Sequence, residues 1–396
     1  MARKMKDSGI EWIGEIPEGW EVLAHKYIMH KEKSICEHYS GEDVISLTLN
    51  GVVKRDLENP FGKMPTTFDG YQFVDPNDLL LCLFDIDVTP RCVGLVKDYG
   101  VTSPAYSRFK IHSGFCNAYY NYLLRFIDDE KVFVHLSKNL RSSLTESDFG
   151  AIKTIVPPKA EQQRIADYLD NRTFEIDTLL SKARSSIEEY KKLKQAVITQ
   201  AVTKGVRGER EMKDSGVDWI GEIPVDWEIS RIKYVSIFEP SCDFRKLTPE
   251  TIITYSPMEC IKNGTFERRT SLYGNLAHTL TPFQNGDIVM AKVTPCFENG
   301  NIAIMNELQS GYGLGSSELF VFRPQNINTR YLFYWLQNKL FVHQACATMT
   351  GTGGLKRISP SFVKNCNIHY PSTAEQAQIA AYLDTKCAEI DRLIAK

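Results

Sequence analysis

The sequence predicts an α+β protein: two α+β domains linked by long helices that pair antiparallel as a coiled coil. Three observations carry that prediction. Two motifs each occur twice, at separations near 210 residues. A heptad seam of about 45 residues follows the first copy of the second motif. The stretches between motifs carry short strand patterns separated by turn dipeptides.

The first motif, Met5-Lys6-Asp7-Ser8-Gly9 through Trp12-Ile13-Gly14-Glu15-Ile16-Pro17 to Trp20-Glu21, returns 207 residues later as Met212 to Glu228. Between 5–22 and 212–229, 13 of 18 positions are identical. The second motif opens with Ala160-Glu161-Gln162 and returns 214 residues later as Ala374-Glu375-Gln376, with 13 of 23 positions identical over 160–182 and 374–396. Residues 23–157 and 230–370 look largely dissimilar. A period this long excludes a solenoid and reads as a tandem duplication whose middles have diverged. The expected parts are therefore a first domain over 1–157, a spacer helix over 158–205, a second domain over 206–371 and a shorter second spacer helix over 372–396.

The first spacer carries apolar or small residues at Ile165, Leu169, Thr173, Ile176, Leu180, Ala183, Ile187, Tyr190, Val197 and Ala201, with Lys194 the one charged intruder. Their spacing alternates three and four, as a coiled-coil seam requires. Pro157-Pro158 precede the helix and Lys204-Gly205 stop it. At 1.5 Å per residue it would be a rod of roughly 68 Å. The second copy starts with the capping-box pattern Ser372-Thr373-Ala374-Glu375, continues through Ile379, Leu383, Cys387, Ile390 and Ile394, and stops about 22 residues before its twin would. Under a two-fold relation, residue i of one helix would face residue 578 − i of the other. That register leaves Ile165, Leu169, Ile176 and Leu180 without a partner in their own chain, so association there is expected.

Strands are expected at Val44–Leu49, Leu79–Phe84, Val93–Val96, Ile252–Tyr255, Ile288–Lys292, Ile302–Met305 and Leu319–Phe322. Helical patterns cover Asn117–Phe126 and Thr329–His343. Asn50-Gly51, Asn263-Gly264, Asn285-Gly286 and Asn299-Gly300 mark turns. The longest apolar run is six residues, too short for a membrane span, and the charged N-terminus lacks a secretory signal's apolar stretch. The ten cysteines never lie closer than ten residues apart, so no C-x-x-C redox or zinc motif exists. A soluble, cytoplasmic protein without cofactor or metal is expected.

Motifs for catalysis are weak. Asn59-Pro60-Phe61-Gly62 half-resembles an adenine-methyltransferase tetrad, but it lacks the second proline and reads as a turn. Gly311-Tyr312-Gly313-Leu314-Gly315 lacks the Lys-Ser/Thr ending of a phosphate loop and reads as a flexible turn. Asp85 and Asp87, near Thr89, are placed as alternating acids on a solvated strand face. Nucleic-acid contact is better supported. Residues 230–370 carry 14 Lys/Arg against 9 Asp/Glu, whereas 23–157 carry 15 against 17. In the basic second stretch the candidates are Lys262, Asn263, Arg268, Arg269, Gly353, Lys356 and Arg357. In the first they are Lys54, Arg55, Arg108, Lys110 and Arg141. Arginine and asparagine can read base edges, and glycine turns bring backbone N–H groups to phosphates.

The duplicated Trp-Ile-Gly-Glu-Ile-Pro segments, the Ala-Glu-Gln helix openings and the two divergent middles together resemble the specificity subunit of type I restriction–modification systems. The resemblance covers nearly the whole chain. It implies two target-recognition domains, each reading one half of a bipartite double-stranded DNA site. It also implies that the helices set the gap and dock modification (methyltransferase) subunits, two in number. Methylation and ATP-driven translocation and cleavage would belong to the modification and restriction subunits, leaving this chain non-catalytic. The partner-binding candidates are Ile165, Leu169, Ile176, Leu180, Ile379 and Leu383. Two other readings stand beside this one: a coiled-coil scaffold that does not read DNA, and an enzyme with an unrecognised nuclease or methyltransferase site.

Overall fold

The computed structural model describes residues 3–59, 65–137, 142–262, 264–277, 279–351 and 354–396. It divides into two compact units, Met1–Leu180 and Ser181–Lys396. One uninterrupted helix, Lys159–Lys204, contains the division, and the chain's last helix is Thr373–Ile394.

In the first unit an antiparallel sheet places Val93–Leu95, Leu79–Leu81, Ser107–Ile111 and Met29–Lys31 side by side. A second sheet orders Ile35–Cys36, Tyr71–Val74, Gly100–Thr102, Val44–Thr48 and Gly51–Lys54, with Gly100–Thr102 parallel to Val44–Thr48. Leu79 and Leu81 pack with Tyr120 and Leu124 of the helix Asn117–Asp129, while Leu80 points the other way, into a small core with Ile45 and Val74. A strand buried on both faces needs a continuous apolar run instead of alternation. That requirement explains Leu79-Leu80-Leu81.

The second unit repeats the plan. Its first sheet orders Ile302–Ile304, Ile288–Ala291, Leu319–Pro324 and Ser236–Phe238; its second orders Thr281–Gln284, Tyr312–Gly315, Ile252–Ser256 and Arg269–Leu272. Here Ile252–Ser256 and Tyr312–Gly315 form the parallel pair. Ile288 and Met290 enter one core and Val289 the other, the same alternation as in the first unit. The two middles, dissimilar in sequence, thus share strand order and direction, apart from the edge strand Ile35–Cys36.

The repeated motifs build the frame around each middle. Met5–Asp7 pairs with Glu15–Pro17, and Met212–Asp214 with Glu222–Pro224. Asp7 and Asp214 each accept the backbone N–H two residues on, from Gly9 and Gly216, both in the left-handed region at φ 68° and 64°. A second pairing, Glu21–Ala24 with Lys153–Val156 and Glu228–Arg231 with Asn367–Tyr370, ties the start of each middle to its end. The Ala-Glu-Gln openings lock the helices onto this frame. Glu161 accepts from Arg3 and from the Trp20 indole at 3.1 Å, and Glu375 accepts from Arg210 at 2.6 Å. Buried Gln162 accepts from Cys116 N and donates to Pro157 O; buried Gln376 does the same with Asn328 N and Pro371 O.

Several expectations need correction. Tyr312–Gly315 is a buried strand and not a flexible turn. A Cβ on Gly313 would stand 2.2 Å from the Phe283 ring, so glycine is there to admit that ring. The Thr329–His343 pattern is two helices, Thr329–Trp335 and Lys339–Ala347, because Asn338 caps the second by accepting from Phe341 N at 2.9 Å. Asp85 and Asp87 sit in turns after the strand, and Asp85 is left-handed at φ 46°. The expected helix register is also displaced. Lys194 pairs with Asp391 at 2.8 Å, and Ile198, Val202, Leu383 and Cys387 share one core, so residue i faces about 585 − i. The shift from 578 is seven residues, one heptad, and it gives the seam's intruding lysine a carboxylate partner.

Candidate nucleic-acid interface

The candidate cations fall into three physical groups. Arg108 is structural. Its side chain is 2% exposed and holds buried Asp78 through Nε, with Nη2 on Asp75 at 2.6 Å and Nη1 on the Phe73 carbonyl at 3.0 Å. A guanidinium so enclosed cannot reach a phosphate, which removes it from the DNA-contact candidates. Burial pushes the Asp78 carboxyl above its usual range. The second unit repeats the device: Arg323 donates to buried Asp287 at 2.8 and 2.9 Å.

Most exposed candidates are paired with carboxylates. Lys54 meets Asp43 at 2.6 Å, and Lys110 meets Glu32 at 3.1 Å, which raises its pKa. Arg268 donates to Glu307 and lies over the Phe266 ring. Arg269 bridges Glu259 and Glu267, and Arg357 forks onto Glu318 at 2.9 and 2.8 Å. The Arg357 fork holds the Glu318 carboxyl below its ordinary pKa. Exposed pairs of this kind contribute little to stability and can be exchanged for phosphate contacts. Among the described residues, Lys262 and Lys356 are exposed and make no ion pair, and Lys262 opens the short hairpin Ile261–Lys262/Thr265–Phe266. Arg141, Asn263 and Gly353, like Pro60-Phe61-Gly62, lie outside the described residues.

Sequence reasoning missed a cavity of about 380 Å³ in the first unit, lined by Ser46, Thr48, Arg55, Asp56, Asn59 and Tyr106. Arg55 therefore stands among hydroxyl, amide and carboxylate groups able to meet base edges. The Asn50-Gly51 turn was the available signal, since it joins the lining strand Val44–Thr48 to the strand Gly51–Lys54 that Arg55 follows. No group of His, Cys, Asp and Glu suited to a metal occurs among the described residues. No described helix is long and apolar enough to cross a membrane.

The seam candidates also separate. Ile379 and Leu383 are fully buried in the second unit's own core with Ile198 and Val202, which removes them from the partner-binding candidates. Ile165 packs against the first unit's core. Leu169 is half-buried, while Ile176 and Leu180 are 55% and 49% exposed.

Fold and surface together define a class: a duplicated α+β protein whose repeated frame carries two variable middles and a long, partly apolar helix. Residues 224–394 match the family described as type I restriction modification DNA specificity domain. The chain is 32% identical over 163 residues to the type I restriction enzyme EcoEI specificity subunit of Escherichia coli, covering 40% of this chain and 27% of that protein. It is 34% identical over 163 residues to the EcoAI specificity subunit of the same organism, with the same coverage. These alignments span about a quarter of either relative's length. A solved chain, described as the structural basis underlying complex assembly and conformational transition of the type I R-M system, matches at TM-score 0.68 and 15% identity over 96% of this chain and 93% of that one. Residues 224–394 therefore carry the type I restriction modification DNA specificity domain, and the chain is similar to type I restriction enzyme specificity subunits over part of their length.

Proposed function

We propose that this chain is the non-catalytic subunit that gives a type I restriction–modification complex its DNA sequence specificity. The observation that carries the reading is the duplication itself. One strand plan occurs twice on one repeated frame, and loop chemistry is where the copies differ. Each domain, 1–157 and 206–371, would read one half of a bipartite duplex site, and the helices of 158–205 and 372–396 would set the gap and dock two modification subunits. A restriction subunit would supply ATP-driven translocation and cleavage. The complex would act in the cytoplasm, where its DNA is.

In the second unit Lys262 and Lys356 approach phosphates first. Arg268, Arg269 and Arg357 exchange their carboxylates for DNA, and Asn263 and Gly353, near them in the sequence, complete the candidates. In the first unit Lys54, Lys110 and Arg141 are the phosphate candidates, and Arg55 is the base-edge candidate. The test is to map methylated adenines in DNA from cells carrying the chain with its modification subunits, and to select bound duplexes from a random pool. Two half-sequences at a fixed gap are expected. Methyl transfer by the isolated chain, or binding without sequence preference, would refute the reading.

A further inference from the structure

We propose that a groove in the first unit takes a guanine of one DNA half-site, with Arg91 as the residue that reads it. The proposal rests on the specificity reading and names a contact that reading leaves open. A second cavity, of about 270 Å³, adjoins the one beside Arg55, because Leu47, Thr48 and Tyr106 line both. Arg55 lines the first and Arg91 the second, so the combined groove carries a guanidinium in each part.

The chemistry around Arg91 chooses the ligand. Its Nε donates to the Leu49 carbonyl at 2.9 Å, which fixes the side chain, while buried Nη1 has no partner among the described residues. A donor withdrawn from water without an acceptor is a standing cost that an acceptor entering the groove removes. Guanine presents two acceptors, O6 and N7, on one edge, and the arginine fork matches that pair. The same cavity is lined by Phe84 and Leu49, which are 40% and 63% exposed. A nucleobase divides in the same way, into apolar faces and polar edges. A phosphate would satisfy the arginine and leave this apolar surface bare.

The groove is held ready for its ligand. Tyr106 packs against two of the first unit's cores, and its carbonyl accepts from buried Gln72 at 2.7 Å. The loop between Leu79–Leu81 and Val93–Leu95 is fastened where it ends, by Cys92 N donating to buried Asp128 at 2.8 Å. Its Val88 and Thr89 N–H groups both donate to the Asp85 carbonyl, at 3.2 and 2.9 Å. This loop contains Val88-Thr89-Pro90, which recurs as Val293-Thr294-Pro295 at the same place in the second strand plan, between Ile288–Ala291 and Ile302–Ile304. Both units therefore use the loop, although the middles around it have diverged. The residue after the proline is where they differ: Arg91 in one, Cys296 in the other. A shared loop with a changed reader is what two different half-sites require.

The test uses the full chain assembled with its modification subunits. Selection from a random duplex pool defines both half-sites for the parent and for Arg91→Ala. The parent should require a G·C pair at a position where Arg91→Ala accepts other bases, a loss of about tenfold or more in discrimination confined to one half-site. The other half-site is the internal control. Replacing that guanine by 7-deazaguanine, which lacks the N7 acceptor, should weaken parent binding by about threefold or more and leave Arg91→Ala indifferent. A merely structural arginine produces no such coupling, and the modified DNA probes the parent protein even where the variant folds poorly. An intact pair of half-sites with Arg91→Ala, relaxation in both halves, or parent binding indifferent to 7-deazaguanine at every guanine overturns the proposal. A parent that selects no sequence at all refutes the specificity reading beneath it.

Discussion

Replacing Arg108 by alanine separates an anchoring arginine from a DNA-reading one. In the parent, Asp78 is 4% exposed and its carboxylate rests on the Arg108 guanidinium. The Asp75 backbone N–H adds a hydrogen bond at 2.7 Å. Removing the guanidinium leaves a buried carboxylate without its counter-charge, a loss of about 3–5 kcal/mol. For a unit of this size each kcal/mol lowers Tm by about 2–4 °C, so the first unit's transition should fall by about 6–20 °C while the second's stays in place. Burial already raises the Asp78 carboxyl, and without Arg108 it rises further. A group whose folded pKa is raised is penalised least when protonated, so the deficit relative to the parent should shrink as pH falls. Arg108→Ala combined with Asp78→Ala should recover part of the stability, because no uncompensated charge remains. Calorimetry or denaturant unfolding of the full chain reads each outcome. If Arg108→Ala unfolds like the parent yet binds DNA more weakly with a shallower salt dependence, Arg108 is a phosphate contact and the reasoning fails.

Other expectations follow from single contacts. Gly313→Ala puts a methyl inside the Phe283 ring, so it should destabilise the second unit by several kcal/mol, whereas Gly19→Ala, with open space at its Cβ, should not; thermal unfolding checks both. Lys356→Ala and Lys262→Ala should leave stability unchanged and each reduce the salt slope of DNA binding by about one; an unaltered slope removes that lysine from the interface. Burial holds His25 and His369 neutral, lowering their pKa values from 6.5 to about 4 against the smaller, opposing influence of the Phe149 and Val202 backbone. A depressed folded pKa means that stability is fully present above about 6.5 and is lost as pH falls toward 4. Each unit should lose about 2 kcal/mol by pH 5, and His25→Gln should flatten the first unit's profile only.

Much of the frame was legible because frames are written in residues with few alternatives. A left-handed turn asks for glycine at 9, 14, 216 and 221, and a buried helix opening asks for a side chain that both accepts and donates, as Gln162 and Gln376 do. Such positions repeat as letters. All seven predicted strands are present, since apolar runs bounded by turn dipeptides have few other solutions. The site was less legible. Charge counting cannot distinguish Arg108, enclosed by Asp78 and Asp75, from Arg357 on the surface, because the enclosing carboxylates arrive from 30 and 33 residues away. Helix register failed by one heptad for a related reason. A 3.5-residue repeat fits itself equally well when slid by seven, and the Lys194–Asp391 pair helps break the tie.

The contrast between conspicuous frame and divergent middles has a physical basis that bears on specificity. A two-sheet core asks only that Leu79 and Leu81 face one way and Leu80 the other, and Ile288, Val289 and Met290 satisfy the same demand with different letters. Apolar side chains exchange at small cost when volume is kept. The junction of frame, helix and middle is less forgiving, because it is made of buried polar contacts. Glu161 with Arg3 and Trp20, Glu375 with Arg210, and the two glutamines each leave an orphaned group if one partner changes. Loops on the middles are bound by neither constraint. The Ile261–Phe266 hairpin and the residues lining the Arg55 cavity can change their polar side chains without disturbing either the core alternation or the junction. The fold therefore places its tolerance for substitution on the surfaces proposed to read DNA, and its rigidity where those surfaces are held.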